Sequence, residues 1–238
     1  MSNGYYRKFS NKKNPTSYNV KPPYIIYNPH EGPAPLNSPN EKEKITITTI
    51  DPGRVNCGIY IGNYYLDEKK YWSKYLARLN FVKTEEEKCQ YAESVKILDK
   101  LEEDYSYFSQ SHYIIIESQM AISYENTRMG QHLISYFLTK FKDTGKRPLI
   151  IEINSKIKTK LLGCPEKLTK YKYKKWCREK ALELLKEKSL EQDNKNKFID
   201  LINKNKKSDD MGDVICYFEA WTKIMEGELN QVPMPSTN

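Results

Sequence analysis

Four acidic residues of the sequence stand where ordinary surface charge is not expected. Asp51 follows the β-rich run ITITTI, and Glu117 ends the apolar run YIII. Asp210 and Asp213 lie near the start of a predicted helix, and their i, i+3 spacing places both on one face. Each acid alone has an ordinary interpretation as a turn residue, a strand end or a helix cap. Gathered in one place, they would repel one another unless a cation neutralised them.

The chemistry that such a set of acids performs is metal-dependent phosphoryl transfer. Carboxylate oxygens are ligands that Mg²⁺ prefers, and two such ions about 4 Å apart can clamp an in-line displacement at phosphorus. We therefore predict that Asp51, Glu117, Asp210 and Asp213 are catalytic and bind Mg²⁺. Asp51 suits the bridging position between the metals, because it lies on a central strand. The Pro-Gly turn after it lets the backbone leave quickly, so a phosphate can approach.

The elements that must position these acids follow from periodicity and capping signals. In chain order, the predicted elements are strands at 45–50, 57–61 and 75–82, a helix at 84–104, a strand at 112–117, a helix at 125–142, a strand at 148–154, and helices at 170–188 and 208–225. The first three strands have short connections and predict an antiparallel meander. The whole order predicts an α/β fold with a mixed sheet and helices on its faces.

Composition divides the chain into a core and its extensions. Residues 1–43 are rich in Asn, Pro and Ser, which predicts a disordered N-terminal tail. Residues 44–228 form the predicted domain, and residues 229–238 form a C-terminal tail. A basic helical insertion is expected at about 164–207. Its last part, 189–207, is polar and lysine-rich and is predicted as a loop with one or two helical turns.

Charge and cysteine usage limit the classes of function. The 238 residues carry a net charge of +8, which favours a polyanionic partner. We expect no membrane span, because no apolar run approaches the roughly 18 residues of a transmembrane helix. We also expect no small-molecule cofactor. Five scattered cysteines without CxxC spacing argue against a zinc site or disulfide framework. The N-terminus does not resemble a secretory signal, so we expect an intracellular protein.

The segment KLTKYKYKKWCREK, residues 167–180, predicts a nucleic-acid interface. Helical spacing assigns Tyr173, Trp176 and Cys177 to an apolar face in preference to stacking on bases. The basic residues fall mostly on the other faces and can contact phosphates. Lysines shortly before the segment extend the same basic surface. The predicted nucleic-acid contacts are Lys156, Lys158, Lys160, Lys172, Lys174, Lys175 and Arg178.

The segments IDPGRVNCGIYIG, IIIESQ, IIEIN and KKSDDMGD together resemble the Holliday junction resolvases of the RNase H-like superfamily, and most of all the poxvirus-type branch related to RuvC and fungal mitochondrial resolvases. The resemblance covers about 45–226. It implies an RNase H-like fold with a five-stranded mixed sheet and helices on both faces. It also implies that Asp51, Glu117, Asp210 and Asp213 are the metal-binding acids and that Lys207 or Lys206 acts near the scissile phosphate.

The resemblance further implies a function in DNA recombination and repair. Such a protein is a homodimer that makes symmetric nicks across a four-way DNA junction with Mg²⁺ or Mn²⁺, and residues 125–142 would lie near the dimer interface. If the chain is viral, we expect it at a cytoplasmic replication site. Ser208 separates the lysines from the acids, which leaves the choice of lysine open. Asp210 is preferred over Asp209 because it is spaced i, i+3 from Asp213.

Three alternatives remain at the level of the sequence. The first is an RNase H-like nuclease on other branched or RNA-containing substrates. The second is a non-catalytic nucleic-acid-binding scaffold, although all four expected acids are present. The third is an actin-like ATP-binding kinase, because Asp51, Gly53 and Gly58 match D-x-G-x(4)-G. The short chain and the lack of a second Asp-Gly-rich loop argue against the kinase.

Overall fold

The fold is built on a single twisted sheet of short and medium strands. The computed structural model describes residues 24–27, 44–82, 93–119, 123–144, 148–205 and 208–228. The strands are β1 Tyr24–Tyr27, β2 Lys44–Asp51, β3 Cys57–Tyr65, β4 Lys70–Leu79, β5 Tyr113–Ser118 and β6 Leu149–Asn154.

Helices connect the later strands and follow the sheet. They are α1 Glu93–Glu103, α2 Tyr105–Phe108, α3 Tyr124–Phe141, α4 Lys156–Leu161, α5 Lys170–Lys188, α6 Gln192–Lys204 and α7 Asp209–Lys223, after which a wider π-type turn spans Ile224–Glu228. Among the described residues, no helix is both long and apolar enough to cross a membrane. The first part of the helix predicted at 84–104, residues 84–92, lies outside the described residues.

The strand order across the sheet is β1-β6-β5-β2-β3-β4. β2, β3 and β4 form the predicted antiparallel meander, β5 and β6 run parallel to β2, and β1 is antiparallel to β6. The prediction of a mixed α/β sheet is therefore confirmed. The predicted count of five strands is wrong, because the described residues form six.

The additional strand comes from the segment that composition assigned to a disordered tail. β1 pairs with the outer edge of β6, where an unpaired strand would expose its backbone groups. Tyr24 packs edge-on against Trp221 with ring centroids 5.6 Å apart. Edge pairing and aromatic burial explain why this short segment is ordered although its neighbours in sequence have a polar, proline-rich composition.

Helices cover both faces of the sheet, as predicted, and each face has its own core. One face carries α4 to α7 and buries large side chains such as Tyr60, Tyr217 and Trp221. The other face carries α1, α2 and α3 and buries Phe108 and Phe137. The two cores are separated by the sheet itself, because successive strand residues point to opposite sides.

Two helical segments differ from the sequence prediction. Residues 189–207 were predicted as a loop, whereas α6 occupies thirteen of them. Phe198 and Ile202 lie one helical turn apart and are both buried, which stabilises the helix against the domain. α4, between β6 and the basic helix α5, was not predicted. α5 itself has the predicted bounds and is capped by the hydroxyl of Thr169, which accepts from Lys172 N.

Candidate active site

Two strands deliver the first two acids to one face of the sheet. β2 and β5 are parallel neighbours, and Ile50 lies opposite Ile116. Both isoleucines belong to the core beneath α3. Since neighbouring residues alternate between faces, Asp51 and Glu117 turn to the face that α7 covers. The two strands end together, so their acids meet at the same edge of the sheet.

The helix α7 brings the other two acids over that edge. The hydroxyl of Thr49 donates to the carbonyl oxygen of Val214 at 2.8 Å, which fixes α7 to β2. Gly58 lets the helix approach β3 closely, because a Cβ at this position would lie 2.5 Å from the carbonyl oxygen of Asp210. The first turns of α7, with Asp210 and Asp213, therefore sit directly above the ends of the strands.

The four acids line one open cleft of about 760 Å³. Its wall is completed by polar and basic side chains from the loop after β2, from α3 and from α4. The charged residues that line the cleft are Asp51, Arg54, Glu117, Glu125, Lys156, Lys158, Asp210 and Asp213. All four acids that were predicted from the sequence are thus brought to one place, and their catalytic and metal-binding roles remain predictions.

Burial and neighbouring carboxylates raise the pKa values of Asp51 and Asp210. Burial raises the pKa of Asp51 well above its usual value, and the carboxylates of Glu117 and Asp213 raise it further. Glu117 also forms a hydrogen bond with Asp51, and Gln119 Nε2 donates to Asp51 Oδ1 at 3.3 Å. Burial raises the pKa of Asp210 to about 6, with a further contribution from the neighbouring Asp209. The cleft is therefore a site in which negative charge accumulates without full compensation.

One of the acids has a buried cation of its own. The side chain of Lys158 is only 2% exposed, and its Nζ lies 2.5 Å from Asp213 Oδ1 and 4.1 Å from the ring centroid of Tyr217. Burial lowers the pKa of Lys158, but the adjacent Tyr217 and Asp213 raise it by more, so the ammonium is retained. The prediction that Lys158 belongs to the exposed basic surface is wrong, because its pairing with Asp213 draws it into the cleft.

The donor set of the cleft matches a hard divalent cation in its chemistry. Asp51 and Glu117 approach closely enough to share a hydrogen bond. A cation bound between the two carboxylates would take the place of the shared proton. Asp213 is held by Lys158. Within the described ranges, no three His, Cys, Asp or Glu side chains form a group that could hold a metal ion. The fit to a metal therefore rests on the pair Asp51–Glu117.

The structure distinguishes Asp209 from Asp210, but it does not describe the two lysines before them. Asp209 forms an ion pair with Lys174 and does not line the cleft, whereas Asp210 lines it. This placement supports Asp210 as the functional member of the two. Lys206 and Lys207, between which the sequence could not choose, lie outside the described residues, and the catalytic role of Lys207 stays a prediction.

The remaining predicted DNA-binding residues lie on α4 and α5. Lys156, Lys160 and Lys172 are exposed, and Lys156 also borders the cleft. Further along α5, Lys175 pairs with Glu179 of its own helix at 3.6 Å. The guanidinium of Arg178 donates to Asn203 Oδ1 at 3.3 Å, and Lys174 is paired with Asp209. The exposed lysines nearest the cleft are thus the most accessible to a nucleic acid.

Sequence reasoning missed Gln119 and Arg54 among the polar residues of the cleft, and it assigned Lys158 to the exposed surface. Gln119 lies two residues beyond Glu117, and the alternation along β5 was a usable signal for it. Arg54 follows the Pro-Gly turn and was passed over because a single arginine in a loop carries no periodic signal. Lys158 was assigned to the surface because nothing in the sequence reveals its partner, which lies 55 residues away.

Solved structures of other proteins have a similar fold. The chain superimposes on the fowlpox virus resolvase in complex with a Holliday junction at a TM-score of 0.50 and 18% identity, which covers 78% of this chain and 99% of the other. The yeast mitochondrial Holliday junction resolvase gives a TM-score of 0.51 at 14% identity, with 77% and 83% covered. This chain has the RNase H-like fold of the Holliday junction resolvases. The resolvase fold predicted from the sequence motifs is confirmed.

Relatives in sequence come from viruses. The chain is 25% identical over 130 residues to uncharacterized protein 97L of Invertebrate iridescent virus 3, which covers 55% of this chain. It is 32% identical over 145 residues to uncharacterized protein 170L of Invertebrate iridescent virus 6, which covers 53% of it. In each case the match spans 57% of the relative, so the chain covers little more than half of the length of these proteins. No protein-family model matches the chain.

Proposed function

We propose that this protein is a Mg²⁺-dependent endonuclease that resolves four-way DNA junctions by symmetric nicks. The observation that carries the proposal is the convergence of four carboxylates from β2, β5 and α7 in one cleft of a resolvase fold. The net charge of +8 supports a polyanionic substrate, and Lys156 of α4, which is exposed, borders the cleft. Hydrolysis would leave a 5′ phosphate and a 3′ hydroxyl.

The metal would be held first by Asp51 and Glu117. These two carboxyl groups share a hydrogen bond at the ends of adjacent strands, and Asp210 faces them from α7. When bound, Mg²⁺ or Mn²⁺ supplies an activated water and stabilises the charge that develops on the leaving oxygen. Asp213 completes the acidic wall.

The chain's own residues orient the acids and the substrate. Lys158 holds the carboxylate of Asp213 in one place and keeps a positive charge inside the cleft. Gln119 donates to Asp51 and restricts the rotation of that carboxylate. Lys156, exposed at the border of the cleft, is positioned to attract the DNA backbone. Preorganised charge of this kind is the largest general contribution to phosphoryl transfer.

A homodimer would give the symmetry that paired nicks require. In this proposal two copies associate through α3, whose inward face is buried against the sheet while Gln131, Ser135 and Thr139 remain exposed. Since the sequence relatives are viral proteins, we also propose that the enzyme acts in viral DNA recombination and repair at the site of replication. Light scattering of the purified chain tests the dimer.

Cleavage of a labelled four-way DNA junction tests the enzyme. The wild-type chain is incubated in Mg²⁺, in Mn²⁺ and in EDTA beside Asp51→Asn and Asp210→Asn, with duplex, flap and RNA–DNA hybrid as controls. Paired symmetric nicks that disappear in EDTA and in both variants, while binding persists, would support the proposal. Junction binding without nicks in any metal would indicate a scaffold. Cleavage of the hybrid alone would indicate a ribonuclease.

A further inference from the structure

Arg54 is a cation of the cleft that no predicted role includes. It lies in the loop between β2 and β3, three residues after Asp51, and its side chain is only 12% exposed. Its Nη1 lies 3.2 Å from Glu125 Oε1 in the first turn of α3. Glu125, in contrast, is 52% exposed. The mostly buried guanidinium of Arg54 therefore faces the cleft, and its partner Glu125 lies on the side that is open to solvent.

The loop holds the guanidinium in a defined place. The carbonyl oxygen of Arg54 accepts a hydrogen bond from the backbone N–H of Phe81 at 2.9 Å, which ties the loop to the segment after β4. The turn before it is tight, because a Cβ on Gly53 would lie 2.5 Å from the carbonyl oxygen of Asn56. A short, anchored loop delivers its side chain with little freedom, which is the condition for preorganised recognition.

We propose that Arg54 binds a phosphate of the DNA backbone in the cleft and that this phosphate displaces Glu125 as the partner of the guanidinium. The inference rests on the proposed function, since it requires DNA in the cleft. The planar guanidinium fork matches two phosphate oxygens, and a carboxylate that presents the same two-oxygen geometry is its natural partner in the free protein. Glu125 is half exposed, so water screens its attraction to Arg54 and a phosphate can take its place.

The other cations of the cleft are less suited to this task. Lys158 is buried against Asp213, and its exchange would leave that acid unpaired. Lys156 is exposed and flexible and attracts phosphate without fixing its orientation. Arg54 alone combines a restrained backbone, a planar donor and a partner at the solvent side. It is thus proposed as a catalytic residue that contacts substrate, with Glu125 as the acid that keeps it in place before DNA arrives.

The test compares the two partners of the ion pair, since a purely structural pair and a phosphate clamp give different patterns. The variants are Arg54→Gln, Arg54→Lys and Glu125→Gln. Lys100→Gln is the matched control, because Lys100 pairs with Glu103 at 3.1 Å on α1, outside the cleft. Each protein is measured for junction affinity in EDTA over a salt series, for single-turnover cleavage in Mg²⁺, and for thermal stability.

If Arg54 binds a phosphate, Arg54→Gln and Glu125→Gln should change the affinity for the junction in opposite directions. Arg54→Gln should weaken binding and reduce the slope of log affinity against log salt by about one, as expected for one lost phosphate contact. Its cleavage rate should fall by about 100-fold, the order seen when one preorganised donor is removed. Arg54→Lys should keep the salt slope but recover only part of the cleavage rate. Glu125→Gln should bind the junction more tightly, and Lys100→Gln should behave as wild type.

Two results would overturn the inference. If Arg54→Gln and Glu125→Gln lower affinity, cleavage and stability together, the pair only fastens the loop to α3. If Arg54→Gln retains the wild-type salt slope and cleavage rate while Asp51→Asn is inactive, the clamp is wrong and the proposed nuclease stands. If the wild-type chain does not cleave, the proposed nuclease fails, but loss of affinity on Arg54→Gln with a gain on Glu125→Gln still supports the phosphate contact.

Discussion

The close approach of α7 to β3 predicts that Gly58→Ala damages both the fold and the site. A Cβ at this position would lie 2.5 Å from the carbonyl oxygen of Asp210 and 3.1 Å from Val214 Cγ1. Ordinary contact begins at 3.4 Å, so the gap to the carbonyl oxygen must widen by about 0.9 Å. The obstacle is helix backbone, which cannot rotate away as a side chain can. α7 must therefore move at the turn that carries Asp210.

The size of the effect follows from that displacement. Overpacking of this kind typically costs about 1–3 kcal/mol of folding free energy. In a domain of this size, each kcal/mol lowers the melting temperature by about 2–4 °C. A shift of about 1 Å in a catalytic group reduces the rate by about 100-fold. We expect Gly58→Ala to melt several degrees below wild type and to cleave a four-way junction about two orders of magnitude more slowly.

Gly62→Ala, on the same strand, is the matched control. Its Cβ would lie 3.0 Å from Phe218 Cε2, the end of a ring that can adjust, and its neighbours are not acids of the cleft. This variant should lose stability but keep a cleavage rate within a few fold of wild type once folded. Circular dichroism melting and single-turnover cleavage measure both quantities. A Gly58→Ala protein with the melting temperature and rate of wild type would refute the reasoning.

Three further predictions concern the stability of the chain. Asp51→Asn should raise the melting temperature in EDTA, because it removes a buried carboxylate that its neighbours repel. The same substitution should abolish the stabilisation that Mg²⁺ gives to wild type by binding the folded state. Dye-based melting with and without Mg²⁺ measures both changes in melting temperature. Gly130→Ala should stabilise α3 by up to about 1 kcal/mol, because the new Cβ meets only Pro52 Cγ at 3.8 Å. Urea unfolding measures this, and a lower free energy of unfolding than that of wild type would contradict the prediction. Tyr27→Phe should cost about 1 kcal/mol, because its hydroxyl donates to Glu152 Oε2 at 2.9 Å, and hydrogen exchange should be faster in β1 while that of β2 is unchanged.

The acids of the site were predictable because local rules suffice to place them. Alternation along a strand decides the face of Asp51 and Glu117, and helical spacing decides that of Asp210 and Asp213. The parallel pairing of β2 with β5 then aligns the two strand ends. None of these steps requires a distant partner to be known. The resolvase fold followed from the same motifs, and the solved structures support it.

The features that sequence reasoning missed depend on partners far away in the chain. Lys158 looked like its exposed neighbours until its contact with Asp213 was known. β1 has four residues, and its order depends on an open edge at β6 and on the ring of Trp221. α6 was missed for another reason, because the i, i+4 spacing of Phe198 and Ile202 was visible in the sequence. There the high content of Lys and Asn obscured a short amphipathic signal.

The distribution of charge in the cleft shows where a bound cation would have the largest effect. Asp210 lies in the first turn of α7, where the helix dipole favours a negative charge. Asp213 has Lys158 as a buried counter-ion. In the part of the chain that the structure describes, Asp51 and Glu117 lie at no helix terminus and form no ion pair, and they compensate by sharing a hydrogen bond. A bound divalent cation would therefore relieve most repulsion at the strand ends, so metal binding and folding stability should be coupled chiefly through Asp51.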